Sequence, residues 1–327
     1  MSQAPSLGNT RPQTNTKLSK RLARAVGLAV LKGLVALLPR LPLPVALGLG
    51  RGLGNLMRMV SKKRRKVAQD NLAWALGPTH SEVERRRIAW ESFRQFGMLM
   101  VEQIWYAFRT PEQIDEVIEF REEDWSDFAA LHARGKGVIF VTAHLGNFEM
   151  QARIPAARGV EVLLLVRPSR DQGTTELITR LRERTGLKVV ETGRGLRTIL
   201  EGLRRGACVA MVSDQNATDV FVPFFGRQTG FVDGAARLAL KTGSAIILCY
   251  CVRVGPGRFR MLYSGGFVPE STGDTAADID KIMRRVADDS EAAIRAHPEQ
   301  WLWFHNRWKS SPPPPERPSG PQRSNQA

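Results

Sequence analysis

A chain of 327 residues, 43 % of them hydrophobic, can bury the core of one large domain and carry appendages besides. Its formal charge of +16 suggests a nucleic-acid partner until the charge is mapped: fourteen Lys or Arg and no Asp or Glu lie between Met1 and Lys66, and the remainder is nearly balanced. A nucleic-acid enzyme carries its basic residues around its catalytic domain, so no nucleic acid is expected here, and an anionic membrane surface fits better.

Residues 1–16 are polar and read as disordered. Lys17, Lys20, Arg21 and Arg24 then lead into Ala25 to Leu38, a run interrupted by Lys32 and too short for a comfortable span of about 20 apolar residues. Leu41 to Met57 is also apolar but is broken by Pro42, Pro44 and Arg51, and the basic cluster Lys62 to Lys66 follows at once. Residues 17–66 therefore read as a membrane-anchoring segment: two short amphipathic or partly embedded helices between basic anchors, with a single tilted span as the competing arrangement. The positive residues favour the cytoplasmic face. A secretory signal fits less well, since no small-residue cleavage site stands out and the basic cluster beyond would oppose export.

Residues 67–310 carry the pattern of a catalytic domain. Ser81 and Glu84 have capping-box spacing and start a long helix, along which Phe96, Met100, Ile104 and Phe108 recur every fourth residue, a stripe suited to core packing or to an acyl groove. Gly137 to Val141 is a buried-strand run, and small residues from Ala143 to Gly146 make a tight exit from it. Asn147 can cap a helix that continues through Met150, Ala152 and Ile154. Strand and helix patterns then alternate: Val160 to Val166, Thr174 to Arg184, Leu187 to Val190, Leu196 to Arg204, Cys208 to Val212, Gly234 to Thr242, a strand pair at Ala245 to Val252 and Phe259 to Tyr263, and a closing helix from Asp278 to Ala296. Such alternation predicts an α/β fold, a mostly parallel central sheet flanked by helices. Cys208, Cys249 and Cys251 fall in strands, are odd in number and match no zinc spacing, so neither disulfide nor metal is expected. From Ser311 on, the proline-rich end lacks core-forming residues and reads as a disordered tail over 311–327.

The chemistry gathers where strands end, which is where parallel sheets place their ligands. His144 and Glu149 put an imidazole and a carboxylate five positions apart across a loop-to-helix bend, an arrangement that can hold a general base in one tautomer. Arg167 ends the next strand and could stabilise an oxyanion, clamp a phosphate or form a surface ion pair. Ser213-Asp214-Gln215-Asn216 follows another strand; Asp214 could orient a basic group or a hydroxyl, or the segment could cap a loop. Val222 to Gly226, with Phe224, could cover an acyl chain or form a wall. The tryptophan-rich stretch His297 to Trp308, with Arg307, suits a lipid headgroup or packing against the sheet.

Taken in order, His144 to Glu149, Arg167-Pro168, Ser213-Asp214-Gln215, Val222 to Gly226 and Pro298 to Arg307 resemble the motifs of the bacterial lipid A biosynthesis acyltransferases, the lauroyl/myristoyl family. The resemblance runs from about Asn71 to Lys309 and takes in the basic, apolar N-terminal anchor. It implies transfer of a fatty acyl chain from acyl carrier protein, or acyl-CoA, to a hydroxyl of an anionic glycolipid, a lipid A precursor, at the cytoplasmic face of the inner membrane. His144 would act as general base, Glu149 would orient it, and Arg167 would help hold the oxyanion, with Asn147, Asp214, Gln215, Phe224 and Arg307 on the substrate side and no cofactor. The absence of a G-x-S-x-G elbow agrees with direct transfer. Other acceptors, a phosphatidylinositol mannoside or an ornithine-type lipid, fit the same chemistry. A metal-dependent hydrolase and a non-catalytic membrane-surface protein remain as competing readings, the first having only one histidine in its cluster.

Overall fold

Residues 14–167, 171–193 and 195–312 are described by a computed structural model, with the backbone alone for 14–20 and 23. Residues 1–13, Pro168 and the proline-rich stretch from 313 lie outside them.

Four helices come first: α1 (Thr14–Leu37), α2 (Leu43–Val60), α3 (Lys62–Leu76) and α4 (Glu82–Tyr106). The capping box is formed: the Ser81 hydroxyl accepts the Glu84 N–H, and the Glu84 carboxylate accepts the Ser81 N–H at 2.7 Å. α2 lies along α4 with the two backbones almost touching. A Cβ on Gly54 would stand 2.2 Å from the Phe93 carbonyl oxygen, and one on Gly97 2.1 Å from that of Gly50, so these glycines set the interhelical distance. The other face of α2 has no such cover, and Val45, Leu49, Leu53, Leu56 and Val60 are exposed along it, as are Leu22, Val26 and Val30 on α1. No helix among the described residues is long and apolar enough to cross a membrane.

The fourfold stripe of α4 serves mainly in packing, with Phe96 also lining a small cavity beside His144. Ile104 is buried, Phe96 meets Phe304 edge-on at 5.3 Å, and Phe108 lies beyond the helix end.

The domain continues with α5 (Pro111–Asp115), β1 (Ile118–Glu119) and α6 (Glu122–His132), three elements with no periodicity long enough to announce them. Then come β2 (Val138–Thr142), α7 (Phe148–Gln151), α8 (Arg153–Ala157), β3 (Val162–Val166), α9 (Gln172–Glu183), β4 (Leu187–Glu191), α10 (Leu196–Arg204) and β5 (Cys208–Val212). A hairpin of β6 (Val220–Phe224) and β7 (Arg227–Phe231) precedes α11 (Gly234–Thr242), the strands β8 (Ala245–Gly255) and β9 (Arg258–Phe267), and α12 (Thr275–Ala296). The single helix expected after Asn147 breaks into α7 and α8, because Pro155 has no N–H to give the Gln151 carbonyl.

Seven strands form one sheet in the order β1-β9-β8-β2-β5-β3-β4, with every neighbouring pair parallel except β8 and β9. The fold is thus α/β with a mostly parallel sheet. Along β2, Ile139 and Val141 face the helices α10, α11 and α12, whereas Val138 and Phe140 face α6, α7 and α8; both sets are buried. Burial on both faces is why the strand reads as an unbroken apolar run. The three cysteines are free thiols inside this core. Because β2 and β5 are neighbours with β3 beside them, the loops carrying His144, Asp214 and Arg167 leave the same edge of the sheet.

Candidate active site

The loop after β2 is held from behind before it presents any side chain. Gly146 takes φ of +60°, and a Cβ there would stand 2.1 Å from the Cys251 carbonyl oxygen, so glycine alone allows this close approach to β8. The Gly146 N–H donates to the Gln300 carbonyl at 3.1 Å and the Asn147 N–H to the Cys251 carbonyl at 2.7 Å. Asn147 caps α7, its Oδ1 accepting the Met150 N–H at 3.1 Å, while its Nδ2 donates at 2.9 Å to Glu102 of α4. Glu102 is fully buried; burial raises its carboxyl pKa, and the ion pair with Arg253 opposes that rise. Gln300 in turn accepts the Arg253 N–H at 2.8 Å and donates to the Arg253 carbonyl at 2.9 Å. Asn147 is therefore a scaffold residue, 1 % exposed and turned away from the space where a substrate could lie.

His144 is oriented by Asp214. Its Nδ1 lies 2.6 Å from Asp214 Oδ1, its own N–H reaches Oδ2 at 2.9 Å, and the Trp301 indole N–H reaches Oδ2 at 2.7 Å. Burial alone would raise the Asp214 carboxyl; the imidazole and the other donors outweigh it and hold the pKa down to about 2. An ionised carboxylate accepts only, so the Nδ1 proton sits between the two groups and Nε2 carries the lone pair. Gln215 Nε2 donates to that lone pair at 3.1 Å. The ring is packed against Phe148, whose centroid is 4.8 Å away at a steep angle.

The expectation that Glu149 orients His144 is corrected by this geometry. Glu149 sits in the first turn of α7, buried, and its two oxygens are taken by the Nε (3.1 Å) and terminal nitrogen of Arg182 from the end of α9. The imidazole nitrogen that a carboxylate would orient is already committed to Asp214, 70 residues away in the chain. Glu149 and Arg182 instead form one wall of the cleft and tie α9 to the loop that carries His144.

That cleft encloses about 300 Å³ and is bounded by His144, Gln215, Glu149, Arg182 and Arg167, over an apolar floor that includes Leu164 and Met211. Arg167 stands exposed at the end of β3, in the rim of the cleft. Two expected substrate residues lie elsewhere. Phe224 is fully buried, ringed by Phe225, Phe231 and Trp301 with centroids 4.8 to 6.0 Å away. Arg307 is fully buried too; it donates to the Gly230 carbonyl at 2.6 Å and lies 4.1 Å over the Phe231 ring, and burial lowers its pKa to about 10. Both belong to the packing of the tryptophan-rich end against the β6–β7 hairpin, and neither can meet a substrate in this conformation. Among the described residues, no three His, Cys, Asp or Glu side chains gather as a metal-ligand set.

Arg182, Glu102, Arg253, Trp301 and Gln300 complete the site but carry no local signal that pairs them with the histidine loop. Only Trp301 and Gln300 fall within a stretch that composition marks as unusual.

The family model for bacterial lipid A biosynthesis acyltransferases matches residues 13–310. The chain is 28 % identical to the lipid A biosynthesis palmitoleoyltransferase of Escherichia coli K12 over 288 residues, which is 86 % of this chain and 90 % of the relative. It is 27 % identical to the lipid A biosynthesis lauroyltransferase of the same organism, with the same shares of each chain. A phosphatidylinositol mannoside acyltransferase of Mycobacterium tuberculosis is 28 % identical over 182 residues, 54 % of this chain and 56 % of that one. With the family model spanning nearly all of the described residues, the chain belongs to the bacterial lipid A biosynthesis acyltransferase family and is an acyltransferase of that pathway.

Proposed function

We propose that the protein transfers a fatty acyl chain from acyl carrier protein, or from acyl-CoA, to a hydroxyl of a lipid A precursor, and that His144 held by Asp214 is the general base. The observation that carries this reading is the tautomer lock: an ionised, buried carboxylate on Nδ1 leaves Nε2 as the basic atom at the cleft. The acceptor hydroxyl displaces the Gln215 amide from Nε2 and gives up its proton there as its oxygen bonds to the thioester carbonyl carbon. The positive charge that forms on the imidazole is stabilised by Asp214. Negative charge develops on the former carbonyl oxygen, and Arg167 in the cleft rim is the cation assigned to meet it. Collapse breaks the carbon–sulfur bond, and the Nε2 proton passes to the departing thiolate, which returns His144 to its starting state. No acyl-enzyme forms on this route.

The acceptor is read from the relatives named for lipid A biosynthesis. A phosphatidylinositol mannoside is the second reading, favoured by the relative with that name, and it leaves the chemistry unchanged.

The same proposal places the enzyme on the cytoplasmic face of the inner membrane. The exposed aliphatic residues of α2 recur at positions 45, 49, 53, 56 and 60, one helical face, with Arg40, Arg51, Arg58 and the Lys62 to Lys66 cluster nearby in sequence. Such a face lies in a bilayer interface, and the cations favour anionic lipid. Anionic vesicles should carry the protein to the top of a flotation gradient. Replacing Leu49, Leu53 and Leu56 together by Ser should leave most of it at the bottom, and unchanged flotation contradicts attachment by this face. For the activity, purified protein is incubated with acyl carrier protein thioester and lipid A precursor. A product heavier by one acyl group, absent with His144→Ala, is expected, and full activity in that variant removes His144 from the mechanism.

A further inference from the structure

Gln151 stands in the wall between two cavities. It ends α7, is 4 % exposed, and lines the cleft that holds His144. It also lines a second, smaller cavity of about 20 Å³ between the sheet and α6 and α8, whose other walls include Phe120, Trp125, Phe128, Phe140 and Met261. Phe120, Met261 and Tyr263 continue from there into an open groove of about 480 Å³ at the β9 edge of the sheet. Gln151 thus separates the cleft from a region walled by aromatic and sulfur-bearing side chains.

That amide is half satisfied. Gln151 Nε2 lies 2.9 Å from Cys249 Sγ, and Oε1 has no hydrogen-bond partner among the described residues. Turning the amide over only exchanges the two ends. The carbonyl then accepts the Cys249 S–H, protonated because burial raises the thiol pKa, and the NH₂ is left over. Either way a buried polar atom has no partner among the described residues, and buried polar groups are satisfied in native structures almost without exception. Water held in the smaller cavity answers this poorly. A cavity of about 20 Å³ has room for one molecule, which needs two to four polar partners, and the wall hydroxyl of Tyr263 already donates to Asp127.

We infer that Gln151 recognises a hydroxyl on the acyl chain, so that the protein selects a hydroxyacyl thioester over the unsubstituted chain of the same length. The inference rests on the acyl-transfer reading above. A hydroxyl both donates and accepts, and so pairs with whichever end of the amide faces it. A methylene in the same place leaves that end unpaired and removes it from any water. The hydroxyl sits near the thioester end of the chain, because Gln151 and His144 share the cleft in which the thioester carbonyl must lie, and the cavity beyond is apolar.

Internal competition reads the preference directly. Equal amounts of tetradecanoyl, 2-hydroxytetradecanoyl and 3-hydroxytetradecanoyl carrier protein, with a dodecanoyl set run in parallel, are incubated with the full-length protein and lipid A precursor, and the products are resolved by mass spectrometry. One hydroxyacyl product should exceed the unsubstituted one by about tenfold or more, the ratio that one unpaired buried polar group commands. Gln151→Leu and Gln151→Met should bring that ratio to about one while keeping transfer of the unsubstituted chain, which also reports that the variants fold. A wild-type ratio at or below one, or a ratio unmoved in both variants, overturns the inference and leaves acyl transfer standing. No transfer of any donor overturns the acyl-transfer reading and this inference with it.

Discussion

Asp214 and Glu149 are both buried carboxylates next to His144's cleft, Glu149 in its wall and Asp214 behind the imidazole, and they do different work. Asp214 follows β5 and meets the imidazole; Glu149 opens α7, five residues after His144, and meets the Arg182 guanidinium. Proximity along the chain selected the wrong partner. In a parallel sheet the strand next to β2 is supplied by a distant segment, and the residue at the end of that strand stands nearer in space than one around a helical bend. The motif thus has two halves: an imidazole completed from the neighbouring strand, and a clamp that fastens its loop to α9.

Four substitutions test that contrast. His144→Ala removes the base and should lower kcat on the order of 10³-fold or more while leaving the fold intact, as read in steady-state transfer rates and circular dichroism. Asp214→Asn keeps the shape but releases the tautomer, and a loss on the order of 10²- to 10³-fold is expected, mostly in kcat. Glu149→Gln should cost about tenfold or less in kcat and lower stability by about 2 kcal/mol, because Arg182 loses a charge-assisted pair, as a denaturant titration would register. If Glu149→Gln proves as damaging to kcat as Asp214→Asn at unchanged stability, the division of labour is wrong. Glu102→Leu probes the support behind the loop. It strands Arg253 in the core and should destabilise the protein by about 3–5 kcal/mol, a change visible in its thermal midpoint.

A smaller effect follows from acid. The folded pKa of Asp214 is held at about 2, below the ordinary value near 4, so its stabilisation is complete above the unfolded pKa and is lost as pH falls through the folded one. The stability difference between wild type and Asp214→Asn should therefore shrink between about pH 4 and about pH 2, as measured by denaturant titrations across that range.

Much of this architecture was legible in the sequence because parallel strands buried on both faces announce themselves as β-branched runs, and because Ser81 and Glu84 mark a helix start without tertiary help. Polar groups collect at the ends of β2, β3 and β5, where the strand pattern in the sequence ends. What local pattern could not carry was pairing. Asp214 was singled out for its position at a strand end, yet nothing in the chain says that β5 lies beside β2. Arg307 and Phe224 misled for the opposite reason: cation and aromatic look alike in sequence whether they meet a headgroup or each other, and here Arg307 lies over the Phe224 ring at 5.3 Å. The exposed aliphatic residues of α2 are legible as an apolar run; the glycines at 50 and 54 that turn one side of it toward α4 become meaningful only with Gly97 opposite them.

Nitrogen-15 magnetic resonance of the His144 imidazole separates the roles of Asp214 and Glu149. In wild type the neutral ring should show a proton on Nδ1, strongly deshielded by Asp214, with Nε2 unprotonated. That signature should vanish in Asp214→Asn and persist in Glu149→Gln; its persistence in Asp214→Asn and loss in Glu149→Gln would contradict the account.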